Sequence, residues 1–142
     1  MAALDITRSI DIAAPLDAVW RALTEPELIA QWFGDTAEFD ATPGASGAFG
    51  WRDHGGAFRI VVEQVDRPKT LVYRWAREFG VDPMPGNSTL VRFDLTATDN
   101  GTRLDLLETG FEELADPHGA QAGNVGGWKA ELGELVEFVE SR

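Results

Sequence analysis

The chain has 142 residues and a formal net charge of −12 at pH 7, with 24 acidic residues, 12 basic residues and no cysteine. This length predicts one domain, residues 1–142, whose core is large enough to fold without a metal ion or a disulfide. The absence of cysteine excludes thiol nucleophiles and cysteine metal sites. The acidity disfavours binding to nucleic acid or to an anionic membrane surface, because both require cationic side chains.

The sequence carries no recognisable targeting or membrane signal. Residues 1–12 alternate polar and apolar side chains and lack a basic patch followed by an apolar run. No stretch approaches the roughly 20 apolar residues of a spanning helix. We therefore expect a cytoplasmic protein.

The first predicted elements are a strand and two short helices. Apolar residues of one parity alternate with polar residues over positions 4–12, and Arg8 is the exception on the apolar side. Pro15 ends this strand and begins a helical pattern, since proline is tolerated in a first helical turn. A second short helix begins near Pro26, and Gly34 ends it as a C-cap residue can.

The middle of the chain is predicted to be an antiparallel sheet. Alternating β-branched and aromatic residues indicate strands over residues 36–40, 48–52, 58–63, 71–76, 90–97 and 102–109. Turn residues separate them at Pro43-Gly44, at Asp53-His54-Gly55-Gly56, at Arg67-Pro68-Lys69 and at Asp99-Asn100-Gly101. With the first strand, this makes six to seven strands.

The last predicted element is a long amphipathic helix. Asp116 and Pro117 are suited to its N-cap and first position, and we expect about five to seven turns after them. An apolar stripe runs along one side, formed by Val125, Trp128, Leu132, Leu135 and Val139. The opposite side is assigned to Glu131, Glu134, Glu137 and Glu140.

The first half of this helix is poor in side-chain volume, with glycine at positions 119, 123, 126 and 127. Each glycine costs about 1 kcal/mol of helix stability relative to alanine, so a compensating use is expected. We interpret it as space for a ligand between helix and sheet. The alternative is a looped helix entry with aromatic residues that simply fill a core. The predicted ligand-binding residues are Trp51, Phe58, Tyr73, Trp75, Arg77, Phe93, Glu108, Gly123 and Gly127.

A few polar residues could act on a ligand there. Strand parity turns Glu108 inward, where desolvation would raise the pKa of its carboxyl group, and Arg77 shares the parity of Tyr73 and Trp75. Arg77 could therefore meet a ligand carboxylate or Glu108 itself, and the alternative for both is an exposed strand-end charge. Weaker candidates are His54, Asp53 and His118.

The sequence predicts no metal and no cofactor. Its two histidines, His54 and His118, do not have metal-ligand spacing. It also lacks a nucleophile elbow, a phosphate loop and a dinucleotide-binding fingerprint.

Two segments resemble the START-like superfamily, also called the SRPBCC or helix-grip fold. They are Pro15-x-x-x-Val19-Trp20-x-x-Leu23-Thr24-x-Pro26-Glu27-x-x-x-x-Trp32-Phe33 and Gly126-Gly127-Trp128 with Leu132. The chain is most similar to the branch named after the C-terminal domain of the activator of heat-shock-protein-90 ATPase. Over nearly the whole chain, the resemblance implies an α+β fold in which a curved antiparallel sheet wraps a long C-terminal helix around a ligand cavity.

Members of that superfamily include lipid carriers, hormone receptors, polyketide cyclases and co-chaperone domains, so three functions are considered. The first is binding of a small hydrophobic or aromatic molecule. The second is a cyclase, dehydratase or hydrolase that uses Glu108 with Arg77 or His54. The third is a bacterial chaperone-interacting module with a protein partner, for which Phe79, Val81 and Met84 are the candidate surface. The loop over residues 79–88 could instead be a lid over the cavity.

Overall fold

The computed structural model describes residues 4–54, apart from the side chain of His54, and residues 56–141. In these residues seven strands form one antiparallel sheet in the order β1-β7-β6-β5-β4-β3-β2. The strands are β1 (Ile6–Ile12), β2 (Thr36–Glu38), β3 (Ser46–Trp51), β4 (Gly56–Asp66), β5 (Thr70–Phe79), β6 (Ser88–Thr98) and β7 (Gly101–Thr109). Each strand from β2 to β7 pairs with the next one along the chain, and β1 pairs with β7.

Three α-helices accompany the sheet: α1 (Leu16–Thr24), α2 (Pro26–Trp32) and α3 (Pro117–Glu140). Short 3-10 turns cover Arg52–His54 and Phe111–Glu113. Gly34 follows α2 with a φ of 74°, a left-handed conformation that favours glycine, and a Cβ there would lie 2.5 Å from the carbonyl oxygen of Gly50. Helix α2 begins at Pro26 as predicted, and Gly34 follows its C-cap residue, which is Phe33.

The sheet is curved, and α3 lies across its concave face. Register shifts on β4, between Phe58 and Ile60 and between Val62 and Gln64, bend the strand, as β-bulges do. The predicted stripe of α3 is buried: Trp128, Leu132, Leu135 and Val139 all face the core, while Val125 is half-buried. The predicted α+β helix-grip fold is confirmed.

Helix α3 is continuous through its glycine-rich half, so the alternative of a looped entry does not apply. The Asp116 side chain accepts a hydrogen bond from the backbone N–H of Gly119 at 3.2 Å and caps the first turn, as predicted. A Cβ atom built on Gly123, Gly126 or Gly127 would meet nothing within 4 Å. These turns of α3 are therefore not pressed against the strands.

None of the helices in the described ranges is long and apolar enough to cross a membrane.

Candidate functional site

A cavity of about 480 Å³ lies between the strands β3, β4 and β5 and the first half of α3. Its lining is Phe33, Trp51, Phe58, Trp75, Ala76, Arg77, Gly123, Asn124, Gly127, Trp128 and Glu131. Six of the nine predicted ligand-binding residues border it, namely Trp51, Phe58, Trp75, Arg77, Gly123 and Gly127. Strand parity and helix spacing together were enough to bring these six to one place.

Aromatic rings from five different elements form the apolar part of the lining. Phe33, at the end of α2, stacks on Trp128 of α3 with centroids 5.4 Å apart and an interplanar angle of 12°. Trp51 at the end of β3 stacks on Trp75 of β5 at 6.2 Å and 26°, and Phe58 of β4 meets the Trp75 ring edge-on at 6.3 Å. Such rings provide large apolar contact area for a flat ligand.

One polar group sits among these rings. The indole N–H of Trp75 is buried and has no hydrogen-bond partner in the described part of the chain. Buried donors are nearly always paired in folded proteins, so this unpaired N–H in a residue of the cavity wall is an exception.

Gly123 and Gly127 form the helix side of the cavity and leave it open. They are one helical turn apart on the same face of α3, and neither has a neighbour within 4 Å of the position a Cβ would take. Both are exposed, so the cavity opens to solvent beside the helix. The absence of two side chains here creates the entrance.

The other three predicted residues, Tyr73, Phe93 and Glu108, do not border the cavity. They are buried directly beneath it: Phe93 meets the ring of Trp128 at 5.8 Å, and Tyr73 meets the ring of Phe93 at 6.2 Å. Parity identifies the inward face of a strand and not the depth of each residue, so it could not distinguish these three from the residues that border the cavity. We call these three residues the cavity floor.

Glu108 is fully buried and is surrounded by donors. Its carboxylate accepts hydrogen bonds from the Thr89 hydroxyl, from the Trp128 indole N–H at 2.8 Å and from the Asn124 side-chain amide at 3.0 and 3.1 Å. Burial raises the pKa of Glu108, while these hydrogen bonds and the charge of Arg77 oppose the rise. The same carboxylate adds to the effect of burial in raising the pKa of Tyr73. Glu108 is thus neither an exposed strand-end charge nor a group facing a ligand.

Arg77 reaches Glu108 indirectly. Its Nη1 donates a hydrogen bond to the Asn124 side-chain oxygen at 2.9 Å, and the amide of Asn124 in turn donates to Glu108. The guanidinium group is half-buried and borders the cavity. Arg77 therefore brings positive charge to the cavity end nearest Asn124.

Glu131 lies at the end of the cavity that is away from Arg77. The sequence pattern assigned this residue wrongly to the solvent side of α3. It is half-buried, and its Oε2 atom is buried with no partner among the described residues. Burial, together with the charges of Glu134 and Asp35, raises the pKa of Glu131 from 4.5 to about 7, and a backbone hydrogen bond from Gly34 opposes the rise. Its carboxyl group can therefore be present both protonated and ionised near neutral pH.

A second groove, of about 610 Å³, shares Trp51 and Glu131 with the cavity. Its other charged residues are all acidic: Asp35, Asp53, Glu134 and Glu137. In the described ranges no group of three or more acidic or histidine side chains is arranged to hold a metal ion. The polar lining makes this groove a poor site for an apolar molecule.

The weaker candidates do not converge on the cavity. Asp53 borders the acidic groove, and His118 is exposed in the first turn of α3. The side chain of His54 lies outside the described residues. In the loop after β5, Met84 is 61% exposed, and no residue from 80 to 88 is among those that border the cavity.

Sequence reasoning missed five lining residues: Phe33, Ala76, Asn124, Trp128 and Glu131. A signal for three of them was present, because Asn124, Trp128 and Glu131 follow the glycine face of α3 at intervals of four and three residues. Extending the glycine face along the helix would have pointed to them. Phe33 gave no such signal, since its position depends on how α2 meets the sheet.

The comparisons with known proteins agree with this architecture. A sequence profile described as Activator of Hsp90 ATPase homolog 1-like protein matches residues 13–140. The chain belongs to this family, an Aha-like branch of the START-like superfamily. Comparison with curated protein sequences found no significant match.

Several solved structures are similar to this chain. Protein MLL2253 from Mesorhizobium loti is 29% identical with a TM-score of 0.83, over 96% of this chain and 97% of that one. DynU16, from the dynemicin biosynthetic locus, is 30% identical with a TM-score of 0.81, over 98% of this chain but 48% of its own. The Aha1 dimer from Colwellia psychrerythraea is 22% identical with a TM-score of 0.80, over 99% of this chain and 97% of that one, and shares the fold.

Proposed function

We propose that the chain binds a small, largely apolar aromatic molecule in the cavity between the sheet and the first half of α3. The observation that carries the proposal is the pairing of Gly123 and Gly127 with a facing set of aromatic rings. The two glycines weaken the helix by about 1 kcal/mol each, and no packing contact in the described residues requires them. Entry of a ligand beside these two glycines would explain why the helix has them despite the loss of stability.

The size and chemistry of the cavity support the same conclusion. A volume of about 480 Å³ is in the usual range for small-molecule sites, which are mostly apolar with a few convergent polar groups. Here those groups are Arg77, Glu131 and the indole N–H of Trp75. The likeness to DynU16, from a biosynthetic locus, also supports a small organic ligand.

Binding is favoured over the enzymatic alternative. The carboxylate of Glu108 is saturated with donors from Thr89, Asn124 and Trp128 and does not face the cavity. Among the described residues, the charged groups that border the cavity are Glu131 and Arg77, and they lie at opposite ends of its helix side. Turnover of a bound molecule that is lost in Glu131→Gln with binding retained would favour the enzyme over the carrier.

The third alternative, a chaperone-interacting module, has weaker support. Phe79 is 45% exposed and Met84 is 61% exposed, but Phe79 also packs on Phe58 with ring centroids 4.5 Å apart. Two exposed side chains are common on a monomer and do not make a contiguous apolar surface.

The test uses a matched pair of glycine variants. Gly127→Leu places a side chain at the cavity entrance, whereas Gly126→Leu places the same side chain one position away, where the helix does not border the cavity. Both changes remove a helix glycine, so both variants should be at least as stable as the parent chain.

Quenching of tryptophan fluorescence by 4-hydroxybiphenyl and naphthalene-2-carboxylate measures binding, because Trp51, Trp75 and Trp128 border the cavity. We expect Gly127→Leu to weaken binding at least tenfold and Gly126→Leu to leave it unchanged. Equal affinities for the two variants would contradict binding at this cavity.

A further inference from the structure

We propose that the ligand is polar at both ends: the cavity takes an elongated aromatic molecule with an anionic or acceptor oxygen for Arg77 at one end and a hydrogen-bond donor for Glu131 at the other. This inference rests on the proposed function and names the class of ligand. It comes from two half-buried charges of opposite sign that border one apolar cavity.

The Arg77 end is suited to an acceptor. A guanidinium group has five N–H donors, and the side chain of Arg77 makes one hydrogen bond in the described residues, to Asn124. Asn124 holds the group in place through its own hydrogen bonds to the buried Glu108. An oriented guanidinium with free N–H groups beside aromatic rings matches a carboxylate or phenolate oxygen.

The Glu131 end is suited to a donor. Glu131 borders the cavity and is half-buried, and its buried Oε2 atom has no partner among the described residues. The other charged residues around it, Asp35, Asp53 and Glu134, are acidic and repel an anion. A ligand hydroxyl or ammonium group at this end would gain a charge-assisted hydrogen bond, whereas a second carboxylate would be disfavoured.

The helix sets the distance between the two ends. Asn124, which contacts Arg77, and Glu131 are seven positions apart on α3, which is about 10 Å along the helix axis at 1.5 Å per residue. The rings of Trp75 and Trp128 border the space between these positions. A ligand that contacts both ends is therefore elongated.

The test compares four probes that share two rings: biphenyl, 4-hydroxybiphenyl, biphenyl-4-carboxylate and 4′-hydroxybiphenyl-4-carboxylate. Affinities are measured at pH 8, where Glu131 is mostly ionised, in the parent chain, in Glu131→Met and in Arg77→Met. Hydrogen bonds to charged groups at half-exposed positions should contribute about five- to tenfold each. Thus the hydroxyl should improve the affinity of the carboxylate probe about five- to tenfold in the parent chain and not in Glu131→Met.

The carboxylate should likewise improve the affinity of 4-hydroxybiphenyl in the parent chain and not in Arg77→Met. Matched controls are Arg74→Met, on the outer face of the same strand beside Glu63, and Glu137→Met, on α3 outside the cavity. Both controls should keep the two gains. Thermal unfolding of every variant verifies that it is folded at the assay temperature.

The outcomes separate the inference from the proposed function. If all four probes bind equally and Gly127→Leu blocks them, the cavity binds ligands but the two-ended class is wrong. If either gain persists in the variant that should abolish it, the assignment of that end is wrong. If none of the four probes binds the folded parent chain, both the proposed function and this inference are contradicted.

Discussion

The cavity floor and the open helix side of the cavity each contain one glutamate, and the two glutamates differ in burial and in hydrogen bonding. On the floor, Glu108 is fully buried, and its carboxylate accepts hydrogen bonds from Thr89, Asn124 and Trp128. At the open side, Glu131 is half-buried, and one of its oxygens is unpaired among the described residues. Burial raises the pKa of both carboxyl groups.

This difference shows that burial alone does not identify a functional carboxylate. The donors around Glu108 come from β6 and α3, so the buried group ties the helix to the sheet. Glu131 accepts a backbone hydrogen bond from Gly34, but its Oε2 atom has no partner among the described residues, and the residue borders the cavity. Glu108 is therefore expected to matter chiefly for stability, and Glu131 for binding.

The largest expected effect comes from Glu108→Leu. It leaves the donors of Thr89, Asn124 and Trp128 buried without an acceptor, so we expect the free energy of unfolding to fall by about 3–5 kcal/mol. Urea denaturation measures this change. Adding Thr89→Val to the same chain removes one stranded donor and should restore part of the loss. A cost below about 1 kcal/mol for the single variant would show that the floor does not need its carboxylate.

An intermediate effect is expected from Asn124→Leu. The variant loses the hydrogen bonds that Asn124 makes with Arg77 and Glu108, and we expect a loss of about 1–2 kcal/mol in urea denaturation. The control is Gln121→Leu, one turn earlier on α3, where the half-buried side chain makes no hydrogen bond in the described ranges. Equal stabilities of the two variants would mean that the hydrogen bonds of Asn124 do not stabilise the contact between α3 and the cavity floor.

The smallest effect is expected from Glu131→Gln, and it depends on pH. The pKa of Glu131 is about 7 in the folded chain against 4.5 for the ordinary group, so the folded chain holds its proton more tightly. The contribution of Glu131 to stability is therefore full below about pH 4.5 and is lost as pH rises through 7.

The uncharged variant avoids this loss. We expect Glu131→Gln to be about 1 kcal/mol more stable than the parent chain at pH 8 and equal to it at pH 4.5, a value reduced because the group is half-exposed. Thermal or urea unfolding at the two pH values measures the change. Glu137→Gln, an exposed neighbour on the same helix, should show a smaller difference. A gain of the same size at both pH values would contradict the raised pKa.

Much of the fold could be predicted because its signals are local. Proline and glycine mark the ends of the helices, as at Pro26 and Gly34, and the period-2 pattern identifies the strands. The same parity turned Trp75 and Arg77 toward the cavity. The glycine composition of α3 predicted space between helix and sheet, and the structure has open space around Gly123 and Gly127.

The candidate site was predicted less completely because depth and helix rotation are not local properties. Tyr73 and Trp75 have the same parity on β5, yet Tyr73 lies beneath the cavity and Trp75 borders it. The curvature of the sheet decides this, and it depends on bulges between β4 and β5. Glu131 lies between the apolar and polar sides of α3, so the apolar stripe of the helix could not show that this residue borders the cavity.

The amino-acid sequence by itself determined the order of strands and helices, the buried stripe of α3 and the inward direction of Glu108, because side-chain periodicity and turn residues act over a few positions. Only the tertiary structure decided which inward residues meet open space and which carboxylate finds donors. Those outcomes depend on distances between elements far apart in the chain, such as Thr89 and Trp128 on either side of Glu108. No spacing rule along one element contains such distances.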